Sequence, residues 1–178
     1  MTRSTNARLA GITFLVYIAA GLTVMNLGSA GADGSAAKLA HVVLELLCNF
    51  SALVLGVTLF GITREVDHDI GMLAMMCRVG EGVVGAVSAS MLVPATFFAV
   101  GSTLFAWLLL RGRMIPVGLA WLGVAASVLV VAGLPMQQAG LLAGTATRLM
   151  WVPMLVFELV LGPWLIIKGV AAPARQSK

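Results

Sequence analysis

The chain has 178 residues, of which 60% are apolar and only 10% carry a charge, and its mean hydropathy is +1.04. A soluble domain carries roughly 25% charged residues, because its surface must stay hydrated. The composition therefore excludes a soluble enzyme, a disordered chain and a nucleic-acid-binding protein, despite the net charge of +4. It indicates helices that cross a lipid bilayer and are flanked by Lys and Arg.

Apolar stretches long enough to cross a bilayer recur six times along the chain. A hydrocarbon core of about 30 Å needs about 20 helical residues, since each adds about 1.5 Å. We therefore predict an all-α, polytopic membrane bundle that forms a single domain over residues 1–178. The six predicted spans cover residues 8–27, 38–62, 70–90, 94–110, 114–134 and 148–167.

The predicted connections between the spans carry polar, Gly or Pro residues. Residues 28–37 (GSAGADGSAA) form a nearly uncharged loop, and residues 63–69 (TREVDHD) are the most polar stretch and must lie in water. Pro94 is expected to separate the third helix from the fourth, and residues 111–113 form a tight turn. Residues 135–147 are predicted to be a mildly apolar loop.

The basic residues divide unevenly between the two sides of the predicted bundle, which supports six spans with both termini in the cytoplasm. Only Lys38 and Arg148 lie on the outer side, and Arg78 lies within a span. Cytoplasmic loops carry an excess of Lys and Arg, so the side with more of them is expected to face the cytoplasm. That side carries eight basic residues: Arg3, Arg8, Arg64, Arg111, Arg113, Lys168, Arg175 and Lys178.

Four ionisable residues fall within the predicted spans, where each is costly and therefore a candidate for function. They are Glu45, Arg78, Glu81 and Glu158. Counting about 1.5 Å per residue from the predicted cytoplasmic face places Arg78 at roughly 12 Å and Glu81 at roughly 16 Å. The same count places Asn49 at roughly 16 Å and Glu158 at roughly 18 Å. Three helices are thus predicted to contribute polar groups to one layer near the bilayer midplane.

The spacing of the polar residues predicts a continuous seam inside the bundle. His41, Glu45 and Asn49 are spaced i, i+4 and i+8, which places them on one face of the second helix. Arg78 and Glu81 are spaced i and i+3 on the third helix. The predicted seam opens outward at His41 and ends at Arg78 and Glu81.

Three carboxyl groups face one arginine in this predicted seam. A buried carboxylate without a cationic partner takes up a proton, so we expect at least one of Glu45, Glu81 and Glu158 to be neutral. A structural alternative remains open, in which the pair of Arg78 with Glu81 or Glu158 only fixes the packing of the bundle. The seam could also bind a ligand, handle protons or dock a partner subunit.

The chain offers no predicted metal site, and its cofactor is left unassigned. At about 1.5 Å per helical residue, His41 and His68 are expected to lie about 40 Å apart, which is too far for them to share a metal ion or a haem. Cys48 and Cys77 fall in apolar stretches and are expected to pack as small hydrophobic residues. Asp69 is expected to cap the third helix, because carboxylates favour helix N-termini.

Four stretches of the chain resemble a known bacterial family. They are ARLAGITFLVYIAAGL at 7–22, MCRVGEGVVGAVS at 76–88, LLLRGRMIPVGLAWLGV at 108–124 and FELVLGPWLIIKGV at 157–170. Together they resemble the six-helix membrane family catalogued as domain of unknown function 4386. The resemblance implies a location in the bacterial cytoplasmic (inner) membrane, and it implies no activity. The positions that match the family's motifs are Arg78, Glu81, Pro116, Glu158, Trp164, Lys168 and Gly169.

Three functions fit these features. The first is a small membrane protein that binds a lipophilic small molecule or serves as an accessory subunit of a membrane complex. The second is a membrane enzyme that acts on a lipid-like or isoprenoid substrate, with Glu81 or Glu158 as the general acid. The third is a proton-linked transporter that uses the same carboxyl groups and works as a homodimer. The expected partners are the lipid bilayer, a lipophilic molecule, other membrane subunits or a second copy, and no nucleic acid.

Overall fold

A computed structural model describes residues 2–29, 34–88 and 90–173, and every regular element in those ranges is a helix. Six segments are long and apolar enough to cross a membrane, and two consecutive helices, α6 and α7, form the sixth of them. The predicted all-α bundle with six spans is therefore confirmed. The helices are α1 (Arg3–Ser29), α2 (Ser35–Thr63), α3 (His68–Val87), α4 (Leu92–Arg111), α5 (Val117–Gln138), α6 (Thr145–Leu149) and α7 (Val152–Ile167).

Pro94 and Pro135 lie inside helices. From the sequence, both were expected to lie between helices. Helix α4 begins at Leu92, so Pro94 lies in its first turn, where a backbone N–H has no intrahelical partner. Helix α5 continues through Pro135 to Gln138, and the N–H of Ala139 donates to the Pro135 carbonyl at 2.9 Å. A proline in the last turn removes a single hydrogen bond, so the helix ends later than the sequence suggested.

The helices form a closed ring in chain order. Each of α1 to α4 contacts the next one, α5 contacts α7, and α7 returns to contact α1. The close contact of α1 with α7 depends on glycine, because a Cβ atom on Gly11 would lie 2.5 Å from the Gly162 carbonyl oxygen. Large apolar side chains cover the outside of the ring, as a lipid environment requires. Among them are Leu39, Phe50, Val87, Trp121, Leu129 and Leu159.

Charged residues gather at one end of the ring, which we call the basic end. It contains the start of α1, the α2–α3 and α4–α5 connections and the end of α7. Arg3 pairs with Glu65, and Arg111 Nη1 lies 3.1 Å from Asp67 Oδ2. The N–H of Ala171 donates to the Met114 carbonyl at 2.9 Å, which ties the C-terminal segment to this end. That the basic end faces the cytoplasm stays a prediction.

Helix α3 is capped by a different residue from the one the sequence suggested. Asp67, with an extended backbone, accepts a hydrogen bond from the N–H of Ile70 at 3.2 Å. The expectation that Asp69 caps the helix is wrong, because the helix begins at His68 and Asp69 already lies within its first turn. A carboxylate in the first turn still interacts favourably with the helix dipole.

Candidate functional site

The centre of the bundle contains a buried ion pair from α3. Arg78 and Glu81 lie one turn apart, and the Nη1 atom of Arg78 is 2.8 Å from Oε2 of Glu81. The hydroxyl of Tyr17 on α1 donates a hydrogen bond of 2.8 Å to Oε1 of Glu81. Arg78 is only 1% exposed and Glu81 only 6%. A guanidinium and a carboxylate thus lie inside the ring, where α1 supplies a third polar group.

Two glycines on neighbouring helices make room for the arginine. A Cβ atom on Gly56 of α2 would lie 3.0 Å from Cβ of Arg78. A Cβ atom on Gly101 of α4 would lie 3.0 Å from Cβ of Cys77 and 3.5 Å from Cδ of Arg78. The aliphatic part of Arg78 is therefore held between two helix backbones, which fixes where the guanidinium can lie.

Aromatic rings lie beside the guanidinium. The Cζ atom of Arg78 is 5.5 Å from the ring centroid of Tyr17 and 5.1 Å from that of Phe98. These two rings are stacked at 6.4 Å, and Phe98 also contacts Trp151 at 5.9 Å. A cation within about 6 Å of a ring face is attracted by it, so the rings offset part of the cost of burying the arginine.

Glu158 of α7 completes the central cluster, which we define as Arg78, Glu81, Tyr17 and Glu158. Its side chain is buried and lines a small cavity together with Arg78 and Ser102 of α4. The cavity has room for about one water molecule. Within the described part of the chain, Oε1 of Glu158 has no hydrogen-bond partner, and the same is true of Nε and Nη2 of Arg78. Two residues that carry unpartnered polar atoms, Arg78 and Glu158, therefore line the same small cavity.

Asn49 lies where α2 crosses α3. It is half-buried, and a Cβ atom on Gly85 would lie 2.5 Å from its Oδ1 atom. A Cβ atom on Gly82 would lie 2.6 Å from its carbonyl oxygen. The two glycines of α3 thus allow the close helix contact, and Asn49 is at about the height of Glu81 when residues are counted from the basic end.

Glu45 and His41 lie apart from the central cluster. Nδ1 of His41 is 3.6 Å from Oε2 of Glu45, and the two side chains are 35% and 52% exposed. Counted from Thr63, Glu45 is about 27 Å along α2, close to the full length of α3 at about 1.5 Å per residue. Glu45 therefore lies near the end of α2 opposite the basic end. The expectation that it is one of three carboxyl groups facing Arg78 is wrong, because its side chain is exposed. Two carboxyl groups, Glu81 and Glu158, are buried inside the ring with Arg78.

Sequence reasoning missed the aromatic part of the site. Tyr17 is the chain's only tyrosine and lies in the middle of its first span, which is the signal that could have singled it out. Phe98 is one of seven phenylalanines, so nothing in the sequence distinguishes it. In residues 2–29, 34–88 and 90–173, no group of His, Cys, Asp and Glu is arranged to hold a metal ion. Cys48 and Cys77 are free thiols.

The fold and the central cluster define a small polytopic membrane protein with ionisable groups buried among its helices. Residues 88–169 match the family described as Domain of unknown function (DUF4386), which confirms the resemblance seen in the sequence. The matched residues include Glu158 and the motifs at 108–124 and, up to residue 169, at 157–170, whereas Arg78 and Glu81 precede them. Comparisons with curated proteins and with solved structures give no match.

Proposed function

We propose that this membrane protein binds and releases a proton at the central cluster, as a proton-linked transporter does. The observation that carries the proposal is that two carboxyl groups, Glu81 and Glu158, are buried in the ring with one guanidinium, that of Arg78. Arg78 pairs with Glu81 and lines the same cavity as Glu158. With both carboxyls ionised the cluster would hold a net negative charge in a medium that cannot solvate it. A proton on one carboxyl makes the cluster neutral.

Glu158 is the group that we expect to exchange the proton. Glu81 is already engaged by Arg78 and by the hydroxyl of Tyr17. Glu158 Oε1 has no hydrogen-bond partner within the described ranges and borders the small cavity. A water molecule in that cavity could deliver or accept the proton, since polar cavities of this size hold ordered water.

The size of the cavity favours a proton over a larger ligand. A lipophilic molecule or an isoprenoid substrate needs a pocket of several hundred cubic ångströms, whereas this cavity has room for about one water. The lipophilic-ligand and enzyme hypotheses therefore gain no support from this cavity. An accessory subunit would use the outer apolar faces and would need no titrating group in the centre.

A proton titration of the purified protein tests the proposal. After a jump from neutral to alkaline pH, wild type should release about one proton more per chain than Glu158→Gln, measured with a pH-indicator dye. Glu65→Gln is the matched control, because Glu65 is an exposed carboxylate at the basic end and lies outside the central cluster. Identical titrations of wild type and a folded Glu158→Gln would contradict proton exchange. The ion pair of Arg78 with Glu81 would then have only the structural role of fixing the packing of the bundle.

A further inference from the structure

We infer that water reaches the central cluster from the end of the ring opposite the basic end, along one stripe of α2, and stops at Tyr17 and Glu81. This inference rests on the proposed function in one respect only, which is that the water along the route carries a proton. The route itself depends on three separate features of α1, α2 and α3.

The first feature is the direction in which the polar stripe of α2 faces. His41, Glu45 and Asn49 continue at helical spacing into Ala52 and Gly56, both of which are buried inside the ring. The stripe therefore faces the interior and not the surrounding lipid. Of its first two members, His41 is half-buried and Glu45 is exposed.

The opposite face of α2 is apolar throughout. Leu39, Val43, Leu46 and Phe50 lie there and are exposed, as residues in contact with acyl chains should be. Asn49 and Phe50 are adjacent in the chain and lie at the same height, yet they face different surroundings. This pair offers an internal comparison between the stripe and the lipid face.

The second feature is the unequal length of the helices. Helices α1 and α2 contain 27 and 29 residues, whereas α3 and α4 contain 20 each. All four meet at the basic end, so α2 extends beyond α3 by about 13 Å at about 1.5 Å per residue. At the end opposite the basic end, α3 therefore leaves the stripe of α2 uncovered, and the half-buried His41 and the exposed Glu45 mark its mouth.

The third feature is the position of the polar groups at the inner end of the stripe, near the central cluster. Counted from the basic end, Tyr17, Asn49 and Glu81 all lie about 20 Å along their helices, on the three neighbouring helices α1, α2 and α3. Tyr17 is only half-buried, and its hydroxyl holds Glu81. Glu81 pairs with Arg78, whose guanidinium lies beside the ring of Phe98. Arg78 in turn lines the cavity beside Glu158.

Cysteine labelling in liposomes tests the route. We would place single cysteines in a Cys48→Ser, Cys77→Ser background and treat the full-length protein with a charged, membrane-impermeant thiosulfonate present on both sides. Such a reagent reacts with the thiolate, which forms only in contact with water. Asn49→Cys and Glu45→Cys should react about tenfold faster or more than Phe50→Cys, which faces lipid.

Reagent added from one side of the membrane only then shows at which end of the ring the route opens. Arg64→Cys marks the basic end, where Arg64 is exposed. In vesicles of uniform orientation, the side that labels Glu45→Cys should fail to label Arg64→Cys.

Equal labelling of Asn49→Cys and Phe50→Cys would overturn the route, and so would protection of Asn49→Cys while Glu45→Cys reacts. Labelling does not depend on proton exchange at Glu158. A failed route with a normal proton titration, or the reverse, therefore shows which of the two proposals is wrong.

Discussion

The basic end and the central cluster use the same residue types in opposite surroundings. The side chains of Arg111 and Asp67 at the basic end are 36% and 28% exposed, whereas those of Arg78 and Glu81 in the centre are 2% and 7% exposed. An exposed pair is worth about 0–1 kcal/mol, because water solvates the separated charges nearly as well. Breaking a buried pair leaves a charge without solvent, which costs about 3–5 kcal/mol. The comparison teaches that surroundings, not residue type, decide how strongly each pair constrains the protein.

The largest effect is expected for Arg78→Met, which removes the only cation of the central cluster. We expect a loss of about 3–5 kcal/mol in the free energy of unfolding, since the ionised carboxyl group loses its buried partner. Unfolding in mixed detergent micelles measures it, with Arg111→Met as the exposed control. Equal stability of Arg78→Met and wild type would remove the reason for treating the cluster as a unit.

A smaller loss is expected for Gly101→Ala, which narrows the space for Arg78. The added Cβ atom would lie 3.0 Å from Cβ of Cys77, so α4 must shift, at a cost of about 1–3 kcal/mol. Gly21→Ala is the matched control, because nothing lies within 4 Å of its added Cβ atom. If both alanines are tolerated equally in the same unfolding assay, the close contact of α3 with α4 is not required.

Asp67→Ala should have an effect of about 1–2 kcal/mol at the basic end. It removes the acceptor of the N-cap hydrogen bond that the N–H of Ile70 donates. It also removes the partly exposed ion pair with Arg111. Asp67→Asn, which keeps a capping oxygen, should recover most of the stability. No recovery by asparagine would show that the charge, not the cap, is what matters.

The smallest effect is expected for Glu65→Ala, which removes the partner of Arg3. With Glu65 more than half exposed, the loss should stay within about 1 kcal/mol and decrease further in high salt. Thermal unfolding at low and high salt measures it. A loss as large as that of Arg78→Met would contradict the contrast between the two regions.

The length of the apolar stretches predicted the six spans. Helix periodicity predicted that Arg78 and Glu81 lie close together, because residues three apart share one face of a helix. The burial of Glu158 also agrees with its position in an apolar span. Contacts between helices were harder to predict, because spacing does not specify which faces meet. The stacking of Tyr17 and Phe98 beside Arg78 is of this kind.

Glu45 shows why burial could not be predicted from the sequence alone. Spacing places it on the same face of α2 as Asn49, but whether another helix covers that face depends on the lengths of the neighbouring helices. Helix α3 has 20 residues and α2 has 29, and Glu45 is exposed. Pro94 and Pro135 caused errors at helix ends, because proline is tolerated in a terminal turn.

Infrared spectroscopy of the reconstituted protein at neutral pH tests proton binding at the central cluster most directly, through the absorption of a protonated carboxyl group. Charge balance predicts this band in wild type and its loss in Glu158→Gln. It predicts loss in Glu81→Gln as well, because Arg78 then balances an ionised Glu158. In Arg78→Met the band should grow to about twice its intensity, since both carboxyl groups become neutral. A wild-type spectrum without the band, or a band that Glu158→Gln leaves unchanged, would contradict the account.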